Sequence, residues 1–220
     1  MKIKVVTNIL KANTRIAEEN RRTLHERGII TINLMSSPGA GKTTLLARTI
    51  RDLGAAIRFG VIEGDIQGTH DAEVIAALGV PVIQINTAGG CHLDANMVQS
   101  VLPELPLEAI DLLVIENVGN LVCPAEFDLG EDAKVMLLSI TEGDDKPLKY
   151  PRMFRECEVL LVNKVDLAPH LDVSLEKIRA DARGLNPALQ VFEVSARTGQ
   201  GLEAWYRWLE KKCAGSRGRG

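Results

Sequence analysis

The chain has 220 residues, of which 45% are hydrophobic and 25% charged, a composition typical of one folded domain with a substantial core. A net charge of −3 and an aromatic content of 4% argue against a nucleic-acid-binding surface. No apolar run reaches the roughly 18 residues of a membrane span, the first residues lack signal-peptide features, and four cysteines are too few for a disulfide scaffold. We therefore expect a cytoplasmic protein with no nucleic acid and no membrane among its partners.

Short apolar runs alternate with helical patterns along the chain. An amphipathic helix is predicted within residues 1–28, with Ile16 and Leu24 on its apolar face and Gly28 as its stop. Runs rich in β-branched residues predict strands covered on both faces, at 29–35, 59–62, 82–85, 112–115, 135–140, 159–162 and 191–194. Helical patterns lie between them, near 44–53, 72–78, 93–102, 175–183 and 202–211. This alternation predicts an α/β domain over residues 29–213, with a doubly wound, mostly parallel sheet of about seven strands and helices on both faces, and a disordered tail at 214–220.

Residues 36–43 follow the first strong strand and fit the P-loop pattern G-x-x-x-x-G-K-[ST], except that Ser36 replaces the first glycine. Glycines in this loop let main-chain N–H groups turn toward phosphate oxygens, and the next helix adds its positive N-terminal end. Lys42 can reach the β- and γ-phosphates as a catalytic residue, and the Thr43 hydroxyl suits a Mg²⁺ shell. The alternative is an ordinary Gly-rich turn. The predicted phosphate-binding residues are Ser37, Pro38, Gly39, Ala40, Gly41, Lys42, Thr43 and Thr44.

Asn163, Lys164 and Asp166 follow the apolar run at 159–162. Guanine presents its N1–H and 2-amino donors side by side, so one carboxylate can accept both, whereas adenine offers no such pair. Ser195 and Ala196 follow the last strand, in a loop similar to the one that GTPases place at the guanine O6. These residues predict binding of GTP and GDP. An ATP-dependent kinase of a small molecule stays open as an alternative.

Three acidic residues lie where parallel strands end. Glu116 follows the run at 112–115, at the position where GTPases carry an acid before a switch glycine. Asp65 and Asp71 follow the second strand, and Thr43 and all three acids are predicted to hold Mg²⁺, with Asp65 also a candidate for orienting the attacking water. The alternative for each acid is a helix N-cap or a solvated loop position. Asn120 stands where GTPases usually carry a glutamine, which predicts slow intrinsic hydrolysis of GTP.

Cys91 and His92 open a predicted helix, and Cys123 follows the strand that ends beside Glu116. Thiolate and imidazole ligands suit Zn²⁺ and, in a changed geometry, Ni²⁺. Three ligands leave one position for water or for a ligand from a second subunit across a two-fold axis. The alternative is that Cys91 and Cys123 are unrelated buried thiols.

The combined segments resemble the HypB family, GTPases that help insert nickel during [NiFe]-hydrogenase maturation. The resemblance covers about residues 5–212 and rests on 35–44, 63–65, 90–94, 115–120 with Cys123 and Pro124, 141–145 and 163–166. It implies a P-loop GTPase of the SIMIBI class that forms a homodimer with facing nucleotide sites. It also implies that Cys91, His92 and Cys123 bind Ni²⁺ or Zn²⁺ at the dimer interface. The implied partners are a HypA-type metallochaperone and the hydrogenase large-subunit precursor.

Two departures narrow what the resemblance implies. No cysteine precedes Cys91, and His25 and His70 are the histidines before it, so we expect neither a tight N-terminal nickel site nor a storage stretch. The related urease GTPase carries a Cys-Pro-His motif, so nickel insertion into urease is the second choice. Because Glu116 and Cys123 are seven positions apart, a γ-phosphate that shifts the segment between them would move a metal ligand. A passive metal-binding module with a structural nucleotide is the remaining alternative.

Overall fold

The computed structural model describes residues 5–66 and 68–217, with the side chains of 5–9 and 216–217 left aside. Within these residues, seven strands form one sheet in the order β3-β2-β4-β1-β5-β6-β7, and every neighbouring pair is parallel. The strands are β1 Ile30–Ser36, β2 Phe59–Asp65, β3 Val82–Asn86, β4 Leu112–Glu116, β5 Ala133–Ser139, β6 Val159–Asn163 and β7 Gln190–Glu193. The predicted doubly wound α/β sheet is confirmed.

Helices flank this sheet on both faces. They are α1 Val5–His25, α2 Lys42–Leu53, α3 His70–Ala76, α4 Ala95–Val101, α5 Lys146–Lys149, α6 Pro151–Glu156, α7 Leu175–Leu185 and α8 Leu202–Arg217. The short helices α5 and α6 lie where no helix was predicted, because four to six residues are too few to show a helical period. Helix α8 includes residues 214–217 of the segment predicted to be disordered, and 218–220 lie outside the described residues. None of the helices in the described ranges is long and apolar enough to cross a membrane.

The five central strands are buried on both sides, as their continuous apolar sequences predict, whereas the edge strands β3 and β7 are half-buried with one exposed residue each. In β4, Leu112 and Val114 join a cluster with apolar residues of α2 and α8. Leu113 and Ile115 point to the opposite face and pack with side chains of α1 and α4. Because both faces are covered, the sheet is a rigid platform and the loops at its edge are free to carry function.

Helix α1 packs through a face that contains the predicted Leu24 and also two asparagines that the prediction did not include. Its buried positions are Asn13, Ala17, Asn20 and Leu24, spaced at intervals of four, three and four, whereas Ile16 is half-buried. The prediction placed polar side chains on the solvent side and therefore missed the two asparagines. Their burial depends on partners that are distant in sequence.

Both buried asparagines of α1 bind main-chain groups at the start of α4. Asn13 Oδ1 accepts the N–H of Ala95 at 2.8 Å, and its Nδ2 donates to the carbonyl of Asp128 at 2.8 Å. Asn20 Nδ2 donates to the carbonyls of Ala95 at 2.8 Å and Leu129 at 3.1 Å. Helix α1 is thus bonded to the segment that directly follows Cys91 and His92.

Candidate nucleotide and metal site

The P-loop leaves β1 at Ser36 and enters α2 at Lys42. Gly39 and Gly41 have φ values of +73° and +99°, a left-handed conformation that favours glycine. A Cβ at Gly41 would lie 2.8 Å from Nδ2 of Asn163, so the guanine-loop residue is already in contact with the P-loop. Ser36, which replaces the first glycine of the P-loop pattern, is buried. Its Oγ accepts a hydrogen bond of 3.0 Å from the Lys42 ammonium group.

The predicted base-binding residues tie three loops together. Asn163 Nδ2 donates to the carbonyl of Ala40 at 2.9 Å, and its Oδ1 accepts the N–H of Ala196 at 3.0 Å. Lys164 adopts a left-handed φ of +64°, and its Nζ donates to the carbonyl of Gly39 at 2.7 Å. The Ala196 N–H thus anchors its loop to Asn163, and the position of this loop at the guanine O6 stays a prediction.

Asp166 lies in the first turn of the 3₁₀ helix Val165–His170 and is half-buried. The main chain on either side is anchored, since the N–H of Val165 donates to the carbonyl of Val194 at 3.2 Å. The next residue of that loop, Ser195, is fully buried and caps its own turn. The structure therefore brings Asp166 and the Ser195 loop to the same edge of the sheet as the P-loop.

Three of the four residues predicted to hold Mg²⁺, namely Asp65, Asp71 and Glu116, line one cleft of about 230 Å³. Its walls are Pro38, Gly39, Lys42, Glu63, Gly64, Asp65, Ile66, Asp71, Glu116, Asn117, Val118 and Gly119. The Thr43 hydroxyl donates to Oε1 of Glu116 at 3.0 Å. Three of the four residues assigned to Mg²⁺ from the sequence thus line this cleft beside the P-loop, and Thr43 is joined to it through Glu116.

A second buried acid, Glu63, escaped the sequence analysis. It stands opposite Glu116 in the pairing of β2 with β4, and the two side chains are at most 3% exposed. Burial and the neighbouring Glu116 raise the pKa of Glu63 to about 11, and burial also raises the pKa of Glu116 against the lowering effect of Lys42. Glu63 Oε1 and Glu116 Oε2 have no hydrogen-bond partner among the described residues. Unpartnered carboxylate oxygens beside a threonine hydroxyl fit a hard divalent cation such as Mg²⁺.

Asp65 adopts a more local role in the structure. Its Oδ1 accepts the N–H of Ile66 at 2.6 Å, and its Oδ2 accepts the N–H of Gly68 at 3.0 Å. The carboxylate therefore caps the turn that follows β2, as the loop-acid alternative expects, while remaining at the cleft wall. Asp71 lies in the first turn of α3, a second acid of the same wall.

Cys91, His92 and Cys123 lie together: one potential ligand atom from each is within 4.8 Å of the other two. The His92 ring packs against Phe127 with centroids 4.0 Å apart, and burial lowers the pKa of this histidine. Hydrogen bonding with Cys91 and burial raise the pKa of the Cys123 thiol. Two sulfur atoms and a neutral imidazole form a donor set suited to Zn²⁺ or Ni²⁺.

The segment from Asn117 to Cys123 links the cleft to the cysteine–histidine cluster. At its start, a Cβ on Gly119 would lie 2.9–3.0 Å from main-chain atoms of Pro38, so this glycine abuts the P-loop. Further along, Asn120 Nδ2 donates to the carbonyl of Cys91 at 3.3 Å. The segment ends at Cys123, the first residue of a 3₁₀ helix. The segment therefore contacts the P-loop at Gly119 and, four positions later, carries the cluster residue Cys123.

Comparison with known proteins places this geometry in a family. The sequence profile of the CobW/HypB/UreG nucleotide-binding domain matches residues 30–193. Hydrogenase maturation factor HypB of Escherichia coli (strain K12) is 51% identical over 213 residues, covering 96% of this chain and 73% of that protein. The chain belongs to the HypB family of hydrogenase maturation factors.

Solved HypB structures share the fold over most of its length. The crystal structure of HypB from Archaeoglobus fulgidus superposes with a TM-score of 0.87 at 40% identity, over 92% of this chain and 99% of that one. HypB from Helicobacter pylori, in complex with nickel, also has a TM-score of 0.87, at 37% identity over 92% of this chain and 95% of that one. The predicted family and P-loop fold are confirmed. The roles assigned to individual residues of this chain from its sequence stay predictions.

Proposed function

We propose that this HypB-family protein hydrolyses GTP slowly and uses the nucleotide cycle to deliver nickel during [NiFe]-hydrogenase maturation. The observation that carries the proposal is the short path from Glu116, at the cleft, to Cys123, in the cysteine–histidine cluster. Family membership supplies the maturation role. The P-loop and the Asn163–Asp166 segment supply the expected guanine-nucleotide chemistry.

The proposed catalytic roles follow from the positions of the side chains. Lys42 exchanges its contact with Ser36 for the β- and γ-phosphates, and the P-loop N–H groups bind the remaining phosphate oxygens. Thr43 and Glu116 would hold Mg²⁺, and the bound ion would supply positive charge to neutralise the phosphates. Asp65 lies at the same wall and orients the attacking water once the nucleotide is in place.

Coupling to nickel follows from steric contact. A γ-phosphate in the cleft displaces the segment that begins at Asn117, because this segment lines the cleft. Gly119 of the same segment is already in close contact with Pro38 of the P-loop. Movement of that segment shifts Cys123 relative to Cys91 and His92 and so alters the ligand geometry.

A homodimer completes the proposed metal site. Three protein ligands leave a coordination position that a second subunit can fill across a two-fold axis. Ile66 and Val122 are exposed apolar side chains next to the cleft and the cluster, 44% and 54% accessible, and suit such an interface. A HypA-type metallochaperone would supply nickel, and the hydrogenase large-subunit precursor would receive it in the cytoplasm.

The proposal predicts that nucleotide state changes nickel affinity. Calorimetric titration of Ni²⁺ into protein saturated with GDP, and into protein saturated with a non-hydrolysable GTP analogue, should give dissociation constants that differ by about 5- to 150-fold. The same titrations with Zn²⁺ show whether the effect of the nucleotide depends on the metal. Sedimentation of each sample shows whether the change in Ni²⁺ affinity accompanies dimerisation. Equal Ni²⁺ affinities in the two nucleotide states would contradict the coupling.

Nickel binding should also strengthen with rising pH. The raised pKa of Cys123 keeps this thiol protonated near neutral pH, so Ni²⁺ must displace its proton to bind the thiolate. Between about pH 6.5 and about pH 8.5 the apparent affinity should rise by up to about tenfold per pH unit for each proton released. The lowered pKa of His92 leaves the imidazole neutral over this range, so it adds little to the slope.

The control for this pH dependence is Cys123→Ala, which should bind Ni²⁺ more weakly and with a shallower pH slope. Proton release can be read directly by titrating in two buffers of different ionisation enthalpy. A flat pH profile in the wild-type protein would show that no thiol proton is displaced, and the assignment of Cys123 as a ligand would fail.

A further inference from the structure

Asn117, which directly follows Glu116, is a polar side chain buried to 1% exposure. Its Oδ1 accepts two main-chain hydrogen bonds, from the N–H of Val118 at 3.0 Å and from the N–H of Leu93 at 3.1 Å. Its Nδ2 donates to Oδ1 of Asn33 in the central strand β1 at 3.1 Å. A single amide group thus joins three parts of the structure. These are the end of β4, the strand β1 that leads into the P-loop, and the loop after β3.

Leu93 is the residue through which this amide reaches the cluster, since it directly follows Cys91 and His92. Its side chain is fully buried and packs on Gly64 of β2, where a Cβ would lie 2.7–3.0 Å from the leucine atoms. With its side chain held on β2 and its N–H held by Asn117, Leu93 has little freedom of its own. The position of Asn117 therefore fixes the end of the loop that carries Cys91 and His92.

We propose that Asn117 is a positioning residue that couples Cys91 and His92 to the nucleotide cleft. This inference rests on the proposed function, which links the cleft to Cys123 through the chain itself. Asn120 already joins the far end of that segment to the Cys91 carbonyl. Asn117 adds a side-chain connection at the cleft end, to the N–H of the residue that follows His92. When the end of β4 moves, the Leu93 N–H moves with it, and all three cluster residues respond together.

The chemistry of the site explains why an amide is needed there. The buried position requires an acceptor for two N–H groups and a donor for the Asn33 carbonyl, and asparagine provides both. Alanine would leave the Leu93 N–H buried without its partner. Aspartate would keep the acceptor but add a buried negative charge beside Glu116 and oppose the Asn33 oxygen.

The test is the ratio of Ni²⁺ dissociation constants measured with GDP and with the GTP analogue. In Asn117→Ala this ratio should fall at least about fivefold toward one, measured with each nucleotide at saturation so that a change in nucleotide affinity does not enter the ratio. The matched control is Asn186→Ala, because Asn186 Nδ2 also bridges main-chain carbonyls, those of Phe154 at 3.2 Å and Cys157 at 2.9 Å, away from the cleft. The control should lower stability and leave the ratio unchanged.

The outcomes separate the two hypotheses. A wild-type ratio of one would refute the proposed coupling and this inference with it. A wild-type ratio far from one that persists in folded Asn117→Ala would overturn the inference alone. A ratio lost equally in Asn186→Ala would show a general effect of stability and would also overturn it.

A measurement on the wild-type protein covers the case in which Asn117→Ala does not fold. Amide hydrogen exchange followed by nuclear magnetic resonance should show the Leu93 and Val118 N–H groups changing rate in the same direction, by at least about fivefold, when the GTP analogue replaces GDP. The Ala188 N–H, which is held by Asn186 at 3.1 Å, should not change. A constant Leu93 rate beside a changed Val118 rate would refute the role of Asn117.

Discussion

An Asp166→Asn variant is expected to bind GDP about 100-fold or more weakly than the wild-type protein and to bind xanthosine diphosphate instead. The proposed Asp166 carboxylate accepts two guanine donors, and each such charge-assisted hydrogen bond contributes about 1.5–3 kcal/mol. Asparagine can still accept the N1–H, but its NH₂ group meets the guanine 2-amino group donor to donor. Xanthine carries a carbonyl at that position, so the same NH₂ group finds an acceptor.

Calorimetry with GDP, xanthosine diphosphate and ADP on both proteins measures this exchange of specificity. Asp172→Asn is the matched control, because Asp172 is an exposed acid six positions further along the chain and should leave all three affinities unchanged. Unchanged GDP binding by Asp166→Asn would remove this residue from the base site. Equal binding of ADP and GDP by the wild-type protein would instead favour an ATP-dependent enzyme.

A Lys42→Ala variant is expected to lose GTP turnover by about 100- to 1,000-fold, the usual cost of removing a group that stabilises transition-state charge. Lys42 already lies at the cleft, with its ammonium 3.0 Å from Ser36 Oγ, so alanine removes the cation and leaves the loop glycines in place. Phosphate release under single-turnover conditions measures the effect. The Ni²⁺ affinity of the GDP-bound variant should stay near the wild-type value.

The control for this experiment is Lys211→Ala on the exposed side of α8, which should turn over GTP as the wild-type protein does. Turnover that survives in Lys42→Ala would indicate a contaminating phosphatase or a different catalytic group. A wild-type protein that binds GTP and never hydrolyses it would support the passive-module alternative.

The sequence predicted the sheet and the loops at its edge well, for identifiable reasons. Strands covered on both faces need continuous apolar runs, and β4 and β6 begin at the residues predicted from their runs. The P-loop requires glycines at left-handed positions, which Gly39 and Gly41 fill. Because parallel strands deliver their ends to one edge, the order of motifs along the chain was enough to predict a shared site.

Side chains whose role depends on distant partners were the ones that escaped prediction. Glu63 faces Glu116 because β2 pairs with β4, and strand order could not be deduced from the apolar runs. Asn117 is buried against Leu93, which is 24 positions away in the sequence. Asn20 is buried against Ala95 and Leu129, which are at least 75 positions away. In the sequence these residues are indistinguishable from solvent-facing polar positions, since only tertiary contacts supply their partners.

The attachment of α1 has a thermodynamic consequence for the metal cluster. Both the N–H and the carbonyl of Ala95 are hydrogen-bonded to amides of α1, and the N–H, at the first residue of α4, has no partner within its own helix. Docked α1 therefore stabilises the first turn of α4, which begins three residues after His92. If undocking of α1 weakens ion binding at the cluster, linkage requires that ion binding favour the docked helix by the same free energy.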